Sequence, residues 1–338
     1  MKAARIVEAG KVEICEIPKP NVGTEEVLIK MKALGLCGSD LTTYRGLNPM
    51  VDYPRIPGHE IAGEIAETGS NVPCDFTIGL AVTVSPYTAC GRCKACRIGR
   101  VNCCKYNQTM GVQRDGAATE YICVPYSKVF RANGFSNEQI ACVEPFSVGW
   151  HAVCRGQVAD KEQVLVFGSG VIGLGAIAAA AFKGAEVIAV DIADNKLEKA
   201  KALGARYTIN SNKENLDDTV EHITSGDGPD VVIEAVGQRR TFSKAVDLAS
   251  FAGRVVYIGY AKKPVEYETK LFVSKELDIK GSRNAMDHEF EAVIKMIASG
   301  KVDVDTIITQ RFQLEQSNDA LKFWDKNTEQ VTKILITL

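Results

Sequence analysis

The sequence of 338 residues has no apolar stretch long enough to cross a membrane. Its longest apolar run, 171–182, is interrupted by Gly173 and Gly175 and falls short of the roughly 20 residues that a membrane-spanning helix needs. The first residues also lack an apolar segment of signal-peptide length and begin like a β-strand. We therefore expect a protein of the cytoplasm.

Clusters of basic residues are missing as well. The net charge is −2 and the isoelectric point is about 6.2, and no run of Lys and Arg resembles the basic patch of a nucleic-acid-binding protein. We find neither an internal repeat nor a low-complexity stretch. A content of 46% hydrophobic and 24% charged residues is typical of a globular chain, and its length suits two domains. The expected partner is a small molecule, not a nucleic acid or a membrane.

The predicted secondary structure changes near residue 162. Before this point, Gly and Pro separate short β-like runs, which predicts a β-rich, partly open barrel; the runs are 27–33, 61–67, 80–84 and 121–124. After it, apolar runs alternate with helical segments, which predicts a parallel sheet of βαβ units; the runs are 163–167, 186–190, 231–235 and 255–258, and the helices include 170–183, 196–203 and one beginning near His151. A helix over 289–299 and a strand over 333–337 close the chain.

A glycine-rich turn begins the second half. Gly168, Gly170 and Gly173 fit the GxGxxG pattern, with Val171 and Ile172 between the last two. The turn follows a predicted buried strand and opens a predicted helix, which is the context that a dinucleotide site requires. The glycines allow a tight turn, a close approach of the backbone to a pyrophosphate, and close packing of helix on strand. The free N–H groups of the helix N-terminus then face the phosphates.

The acid that follows the next strand indicates which dinucleotide binds. A carboxylate such as Asp191 accepts hydrogen bonds from a ribose diol and repels a 2′-phosphate, so NAD is favoured over NADP. Ile192 follows and offers no positive charge, although Lys196 is close in sequence. We assign both to the cofactor site, together with the ends of two later apolar runs, Ala235, Val236 and Ile258.

Eleven cysteines are many for a protein of a reducing compartment, and four of them cluster. The spacing Cys90-x2-Cys93-x2-Cys96-x7-Cys104 can close a tetrahedral shell around Zn²⁺, leaving no open position for chemistry. Cys103, next to Cys104, is an alternative fourth ligand. A redox-active pair is disfavoured because no thioredoxin-like βαβ context surrounds the motif. The sequence therefore predicts a structural zinc lobe over 86–107.

A second set of metal-binding side chains is scattered along the first half. Cys37 lies in a predicted loop, His59 and Glu60 follow a proline–glycine turn, and Glu144 precedes the predicted sheet domain. Thiolate, imidazole and carboxylate are all zinc ligands, and three protein ligands plus water is the pattern of a catalytic zinc site. Either acid could supply the third ligand.

The ordered set of these motifs resembles the zinc-dependent medium-chain dehydrogenase/reductase family, in particular its polyol (sorbitol-type) and sugar-acid branch. The resemblance rests on 35–40, 58–60, the cysteine lobe, 115–121, 144–145 and 168–173, and it covers nearly the whole chain. It implies a GroES-like β-barrel catalytic domain over 1–148 and a Rossmann domain over 149–284. The remaining segment, 285–338, would return to the catalytic domain, with the active site in the cleft between the two domains.

The resemblance also implies roles for individual residues. Cys37 and His59 match the family's catalytic zinc ligands, Glu144 stands where the alcohol dehydrogenase branch has a second cysteine, and Glu60 matches an acid that binds zinc or lies behind it. Cys104, not Cys103, matches the fourth ligand of the structural lobe. Ser39 matches a hydroxyl relay, but Thr42 stands where the polyol branch often has a histidine, so the proton route stays open.

The family chemistry is hydride transfer between an alcohol and NAD at a zinc ion, with a second, structural zinc and a homodimer or homotetramer as the usual assembly. We expect a polyol, sugar acid or sugar phosphate as substrate, with Arg283 as a candidate clamp for its acidic group. The alternatives are a dehydrogenase of a simple secondary alcohol or amino alcohol such as threonine, and a zinc-stabilised NAD-binding protein without catalysis.

Overall fold

The computed structural model describes residues 1–338 and divides them into two units. The first unit comprises Met1–Glu144, Met286–Ile294 and Ile307–Leu338. The second comprises Pro145–Ala285 and Lys295–Thr306. The first unit is thus assembled from three separate segments of the chain, because its last strands pair with a strand from the N-terminal part.

The strands are numbered in chain order. They are β1 Lys2–Glu8, β2 Lys11–Glu16, β3 Glu26–Gly35, β4 Glu60–Thr68, β5 Ala81–Val84, β6 Tyr121–Pro125, β7 Val129–Arg131, β8 Gln163–Phe167, β9 Glu186–Asp191, β10 Ala205–Asn210, β11 Val231–Glu234, β12 Arg254–Tyr257, β13 Asp278–Gly281, β14 Ile308–Gln313 and β15 Lys333–Thr337. All the strands predicted from the apolar runs are present, with bounds that differ by at most two residues.

The helices are α1 Gly38–Tyr44, α2 Lys94–Arg97, α3 Asn137–Ala141, α4 Val143–Arg155, α5 Val171–Phe182, α6 Asp194–Ala202, α7 Leu216–Ile223, α8 Arg239–Leu248, α9 Lys270–Ser274, α10 Asp287–Ala298 and α11 Ser317–Lys326. Short 3₁₀ turns cover Val101–Cys103, Tyr126–Lys128, Val304–Ile307 and Leu314–Gln316. One prediction was wrong: the helix expected to begin near His151 begins at Val143, so that Glu144 lies in its first turn. None of these helices combines the length and the apolar character that crossing a bilayer requires.

The first unit is built on a seven-stranded sheet. Its strands follow the order β14-β15-β3-β4-β5-β7, and β6 also pairs with β3. The central strand β3 is antiparallel to β4 on one side and to β15 on the other, with Gly35 opposite both Glu60 and Leu335. A buried apolar core that includes Ile29, Ile65 and Trp324 packs against this sheet. The register brings the carboxyl end of β3, the start of β4 and the start of β15 together.

The second unit is a parallel sheet flanked by helices. Its order is β10-β9-β8-β11-β12-β13, and every neighbouring pair is parallel. The central strands β8, β9 and β11 are mostly buried and rich in Val and Ile, as is typical of sheets covered on both faces. The chain runs outward from β8 to β10 and then returns to β11 beside β8. This reversal of strand order is where such sheets bind ligands, at the carboxyl ends of the strands.

Candidate active site

Three candidate ligands meet at one end of the sheet of the first unit. Cys37 follows β3 and caps the N-terminus of α1, whereas His59 and Glu60 stand at the start of β4. Because Gly35 pairs with Glu60, the two strand ends are neighbours. One ligand atom from each of Cys37, His59 and Glu60 lies within 4.8 Å of the other two. The structure thus brings together residues that are up to 23 positions apart in sequence.

The donor set fits a zinc ion. His59 is buried, and its Nδ1 atom has no hydrogen-bond partner. Burial alone would lower the pKa of His59, but the Cys37 thiolate, Glu144 and Asp40 outweigh it and raise the pKa well above 6.5. The acidic groups around this imidazole make the pocket favourable for a cation. Thiolate, imidazole and carboxylate are ligands that zinc prefers.

Glu144 lies beside this group, in the first turn of α4. Its carboxylate is buried and accepts a short hydrogen bond from the hydroxyl of Tyr87. Burial, together with the charge of Glu60, raises the pKa of Glu144, although His59 counteracts this. Sequence analysis did not find Tyr87, because nothing in its local sequence connects it with an acid 57 positions away.

Asp40 connects the two loops that carry Cys37 and His59. Its Oδ2 accepts a hydrogen bond of 2.9 Å from the backbone N–H of Cys37, and its Oδ1 accepts one of 3.2 Å from that of Gly58. Because the Asp40 carboxylate binds both loops, it fixes the distance between Cys37 and His59, the two ligands that the loops carry. The capping position, three residues after Cys37, was the available sequence signal for this role.

The relay candidates Ser39 and Thr42 lie on α1. The Ser39 hydroxyl is buried without a hydrogen-bond partner, whereas the Thr42 hydroxyl donates to the carbonyl of Gly38 at 2.8 Å. The Ser39 hydroxyl is therefore available to a substrate, and the Thr42 proton is already engaged.

The four predicted structural ligands form a second cluster. Cys90, Cys93, Cys96 and Cys104 place their Sγ atoms within 4.8 Å of one another. Cys93 Sγ is 3.5 Å from Cys96 Sγ and 4.0 Å from Cys104 Sγ. A tetrahedral ZnS₄ site with Zn–S bonds near 2.3 Å has S···S edges of about 3.8 Å, so these separations fit zinc and are too long for disulfides.

Backbone groups prepare the lobe for thiolates. The N–H groups of Cys90 and Tyr106 both donate to Cys104 Sγ at 3.3 Å. Hydrogen bonds from the backbone of Cys96 and Lys105 lower the pKa of Cys93 to about 6, whereas burial and the neighbouring thiols raise the pKa of Cys96 to about 11. Cys103 lies outside the cluster and instead faces Arg100, whose guanidinium is 3.8 Å from its sulfur.

The glycine-rich turn of the second unit connects β8 with α5. Gly168 has a φ of +91°, which favours glycine, and a Cβ on Gly173 would lie 1.8 Å from the Gly168 carbonyl oxygen. A Cβ on Gly170, at the N-cap of α5, would meet nothing within 4 Å. Gly168 thus allows the tight turn, and Gly173 allows the helix to pack closely on it. Gly170 leaves open space before the helix N-terminus, where a pyrophosphate fits.

A cavity of about 130 Å³ adjoins this turn. It is lined by Gly168, Asp191, Ile192 and Val236, all predicted cofactor residues, and the last two are apolar side chains exposed by 55% and 41%. The carboxylate of Asp191 accepts hydrogen bonds from the backbone N–H groups of Ser169, Ile192 and Ala193. Exposed apolar side chains beside a fixed carboxylate suit the base and ribose of a dinucleotide.

The remaining predicted cofactor residues are distributed around the same edge of the sheet. Val171 and Ile172 lie in the first turn of α5, Lys196 lies in α6, Ala235 follows β11 and Ile258 follows β12. None of these five residues lines the cavity.

Several residues that line the cavity were missed by sequence analysis. They follow β10 and β11, and they include Ser211, Gln238, Arg240 and Thr241. Glu234, at the end of β11, is fully buried and accepts hydrogen bonds from the N–H groups of Val236 and Gly237 and from the Thr241 hydroxyl. An acid at the end of an apolar run was the available signal for Glu234.

We predict that Asp191→Asn weakens the preference for NAD. The amide keeps a hydrogen-bonding oxygen but removes the charge that repels a 2′-phosphate, so the ratio of kcat/KM with NAD to that with NADP should fall about tenfold or more, or about 1.4 kcal/mol. Steady-state kinetics with both cofactors measure it. Asp194→Asn, which removes a nearby acid paired with Lys213, is the control. An unchanged ratio in Asp191→Asn would contradict the assignment.

Two further features of the second unit are the predicted substrate clamp and a second cavity. Arg283, the predicted substrate clamp, follows β13 and is exposed. A cavity of about 880 Å³ lies near the amino ends of the parallel strands and is lined by acids such as Glu186, Asp227 and Asp230. None of the predicted site residues lines that cavity, which is at the edge opposite to the one where parallel sheets bind ligands.

Comparison with known proteins agrees with this geometry. Residues 23–134 match the family model described as "alcohol dehydrogenase GroES-like domain", and residues 171–299 match that described as "zinc-binding dehydrogenase". An L-galactonate-5-dehydrogenase of Escherichia coli (strain K12) is 38% identical over 88% of this chain and 86% of its own length. The chain belongs to the zinc-binding alcohol dehydrogenase family.

Solved structures show the same fold. Galactitol-1-phosphate dehydrogenase from Escherichia coli superposes with a TM-score of 0.93 at 29% identity, covering all of both chains. A structure described as a short-chain alcohol dehydrogenase from E. coli CFT073, complexed with NADH, has a TM-score of 0.92 at 32% identity, covering 100% of this chain and 99% of that one. The expected two-domain fold, a GroES-like domain and a parallel-sheet nucleotide-binding domain, is confirmed.

Proposed function

We propose that this protein is a zinc-dependent dehydrogenase that oxidises a secondary hydroxyl of a polyol, sugar acid or sugar phosphate with NAD. The observation that carries the proposal is the group of Cys37, His59 and Glu60, whose three kinds of ligand atom lie within 4.8 Å of one another and of which His59 and Glu60 are buried. Three protein ligands leave a position open for a substrate oxygen. The GxGxxG turn and Asp191 support NAD as the acceptor.

The substrate class draws support from the similar proteins. One acts on L-galactonate and another on galactitol 1-phosphate, and both of these substrates are polyhydroxylated and anionic. Arg283 is our candidate for holding the acidic group, because a guanidinium binds carboxylates and phosphates through two parallel hydrogen bonds. Replacing Arg283 by glutamine should then raise the KM for an acidic substrate more than the KM for a neutral polyol.

In the proposed mechanism, Cys37, His59 and one of the two acids Glu60 and Glu144 would hold zinc, while Cys90, Cys93, Cys96 and Cys104 would hold a second ion that stabilises the lobe. When bound, the catalytic ion acts as a Lewis acid that lowers the pKa of the substrate hydroxyl. NAD, held at the glycine-rich turn and Asp191, would supply the hydride acceptor.

Side chains of the protein transfer the substrate hydroxyl proton and orient the Glu144 carboxylate. The unpartnered Ser39 hydroxyl accepts the proton of the substrate and passes on its own, since a hydroxyl can both accept and donate. Thr42 cannot take up a proton near neutral pH, so the proton leaves beyond Ser39 through groups other than this side chain. Tyr87 keeps the Glu144 carboxylate oriented.

A spectrophotometric screen tests the proposal. NAD reduction is followed with polyols, aldonates, sugar phosphates, threonine and simple secondary alcohols, using protein that carries two zinc ions per chain. We expect turnover with a polyhydroxylated substrate. Turnover with small alcohols alone would overturn the substrate class. One zinc per chain, retained in Cys37→Ala, would overturn the catalytic function.

We also propose that the protein is a homodimer or homotetramer. The edge strand β13 pairs only with β12, and its Ile279 is 40% exposed. An open strand edge with apolar side chains is a common site of pairing between chains. The molar mass measured by light scattering should be two or four times the single-chain value of 36.6 kDa. A mass equal to that of one chain would contradict the assembly.

A further inference from the structure

A buried lysine from the last strand lies next to the metal ligands. Lys333 begins β15, is 1% exposed, and forms a short ion pair with Oε2 of Glu60, which is also 1% exposed. Its ammonium donates a second hydrogen bond of 3.0 Å to the carbonyl of Leu36, the residue before Cys37. A single cation therefore binds both a candidate ligand and the backbone that leads to another.

The sheet register explains how this pair reaches across a strand. β15, β3 and β4 are neighbours, and Gly35 of the central strand is opposite both Leu335 and Glu60. A Cβ on Gly35 would lie 2.0 Å from Glu60 Oε2, so any other residue would occupy the space of the carboxylate. The absence of a side chain at this position leaves room for the Glu60 carboxylate and its partner.

The negative charge of the site explains why Glu60 is paired with Lys333. Cys37, Glu60, Glu144 and Asp40 place four acidic side chains in or beside this site, more negative charge than one divalent ion can offset. The ammonium of Lys333 supplies a further positive charge. Because a carboxylate has two oxygens, Glu60 can bind the ammonium through Oε2 and still present an oxygen to Cys37 and His59.

We propose that Lys333 is a positioning residue of the catalytic metal site, which holds Glu60 as the third ligand and offsets part of the negative charge of the acids around the site. The proposal rests on the metal site of the proposed function. It also distinguishes between the two acids: Glu60 binds the metal directly, and Glu144, oriented by Tyr87, lies beside it.

Metal retention by the purified holoenzyme tests this role. In Lys333→Met, the catalytic zinc should be lost to a mild chelator about 10 to 100 times faster than in the wild type, the range typical of lost ligand-supporting contacts. The zinc of the four-cysteine lobe should be released at the wild-type rate, which provides an internal control. With Co²⁺ in the catalytic site, the visible absorption band should shift, because it reports on the ligand geometry.

Three further variants separate positioning from a general effect on folding. Lys32→Met breaks another lysine–glutamate pair between β3 and β4, Lys32–Glu64, and should leave metal release unchanged. Gly35→Ala displaces the Glu60 carboxylate from the other side and should accelerate release even if Lys333→Met does not fold. In a Glu60→Gln background, Lys333→Met should add no further effect, since coupled residues are not additive.

The outcomes are distinct. Wild-type metal release and an unchanged Co²⁺ spectrum in both Lys333→Met and Gly35→Ala would overturn the positioning role, and so would full additivity with Glu60→Gln. A wild-type protein that contains only the lobe zinc would instead overturn the proposed function. Enzymatic activity is needed for neither conclusion.

Discussion

Replacing Cys37 by alanine should abolish the catalytic zinc and reduce kcat/KM about a thousandfold or more. A bound zinc ion supplies several kcal/mol of transition-state stabilisation, and each 1.36 kcal/mol corresponds to about a factor of ten. Cys37 is the only cysteine of its three-residue group. Its loss removes one zinc ligand and the negative charge nearest to the buried His59 imidazole.

The measurement combines kinetics with a zinc count. Zinc should fall from two to one per chain, while the circular dichroism spectrum and the lobe zinc are retained. Cys74→Ala, which changes an exposed free cysteine, is the matched control and should behave as the wild type. Full activity of Cys37→Ala would show that the chemistry lies elsewhere.

Replacing Cys104 by serine should destabilise the protein, whereas the same change at the adjacent Cys103 should have little effect. The Cys104 sulfur is fully buried, receives two backbone N–H groups and belongs to the four-sulfur cluster, but Cys103 lies outside it. Loss of a structural metal costs on the order of 4 kcal/mol. For a unit of this size, that cost lowers the melting temperature by about 10 °C.

Calorimetry and limited proteolysis of the pair measure this difference. Cys104→Ser should lose the lobe zinc and be cleaved within 86–107, while Cys103→Ser should keep both the metal and the resistance to proteases. Equal melting temperatures for Cys104→Ser and Cys103→Ser would contradict a structural role of the zinc lobe. The comparison is sharp because the two substitutions are chemically identical and one residue apart.

The fold was largely predictable from the pattern of apolar residues. The parallel strands are continuous Val- and Ile-rich runs between helices, and burial on both faces produces that pattern. The start of α4 was not predictable, because Pro145 and Gly149 interrupt the helical pattern. Pro145 lies in the first turn, where a proline is tolerated, and Gly149 is required because a Cβ there would lie 2.3 Å from the backbone of Ala176.

The candidate sites divide in the same way. Sequence alone determined the two compact motifs, the cysteine lobe and the glycine-rich turn, because all their essential atoms come from within 15 and six consecutive residues, and spacing therefore specifies their geometry. Tertiary structure alone decided that Lys333 binds Glu60, 273 positions earlier, and that Tyr87 binds Glu144. The reason is physical: strand pairing brings distant residues together, and no local pattern records which charges share a buried site.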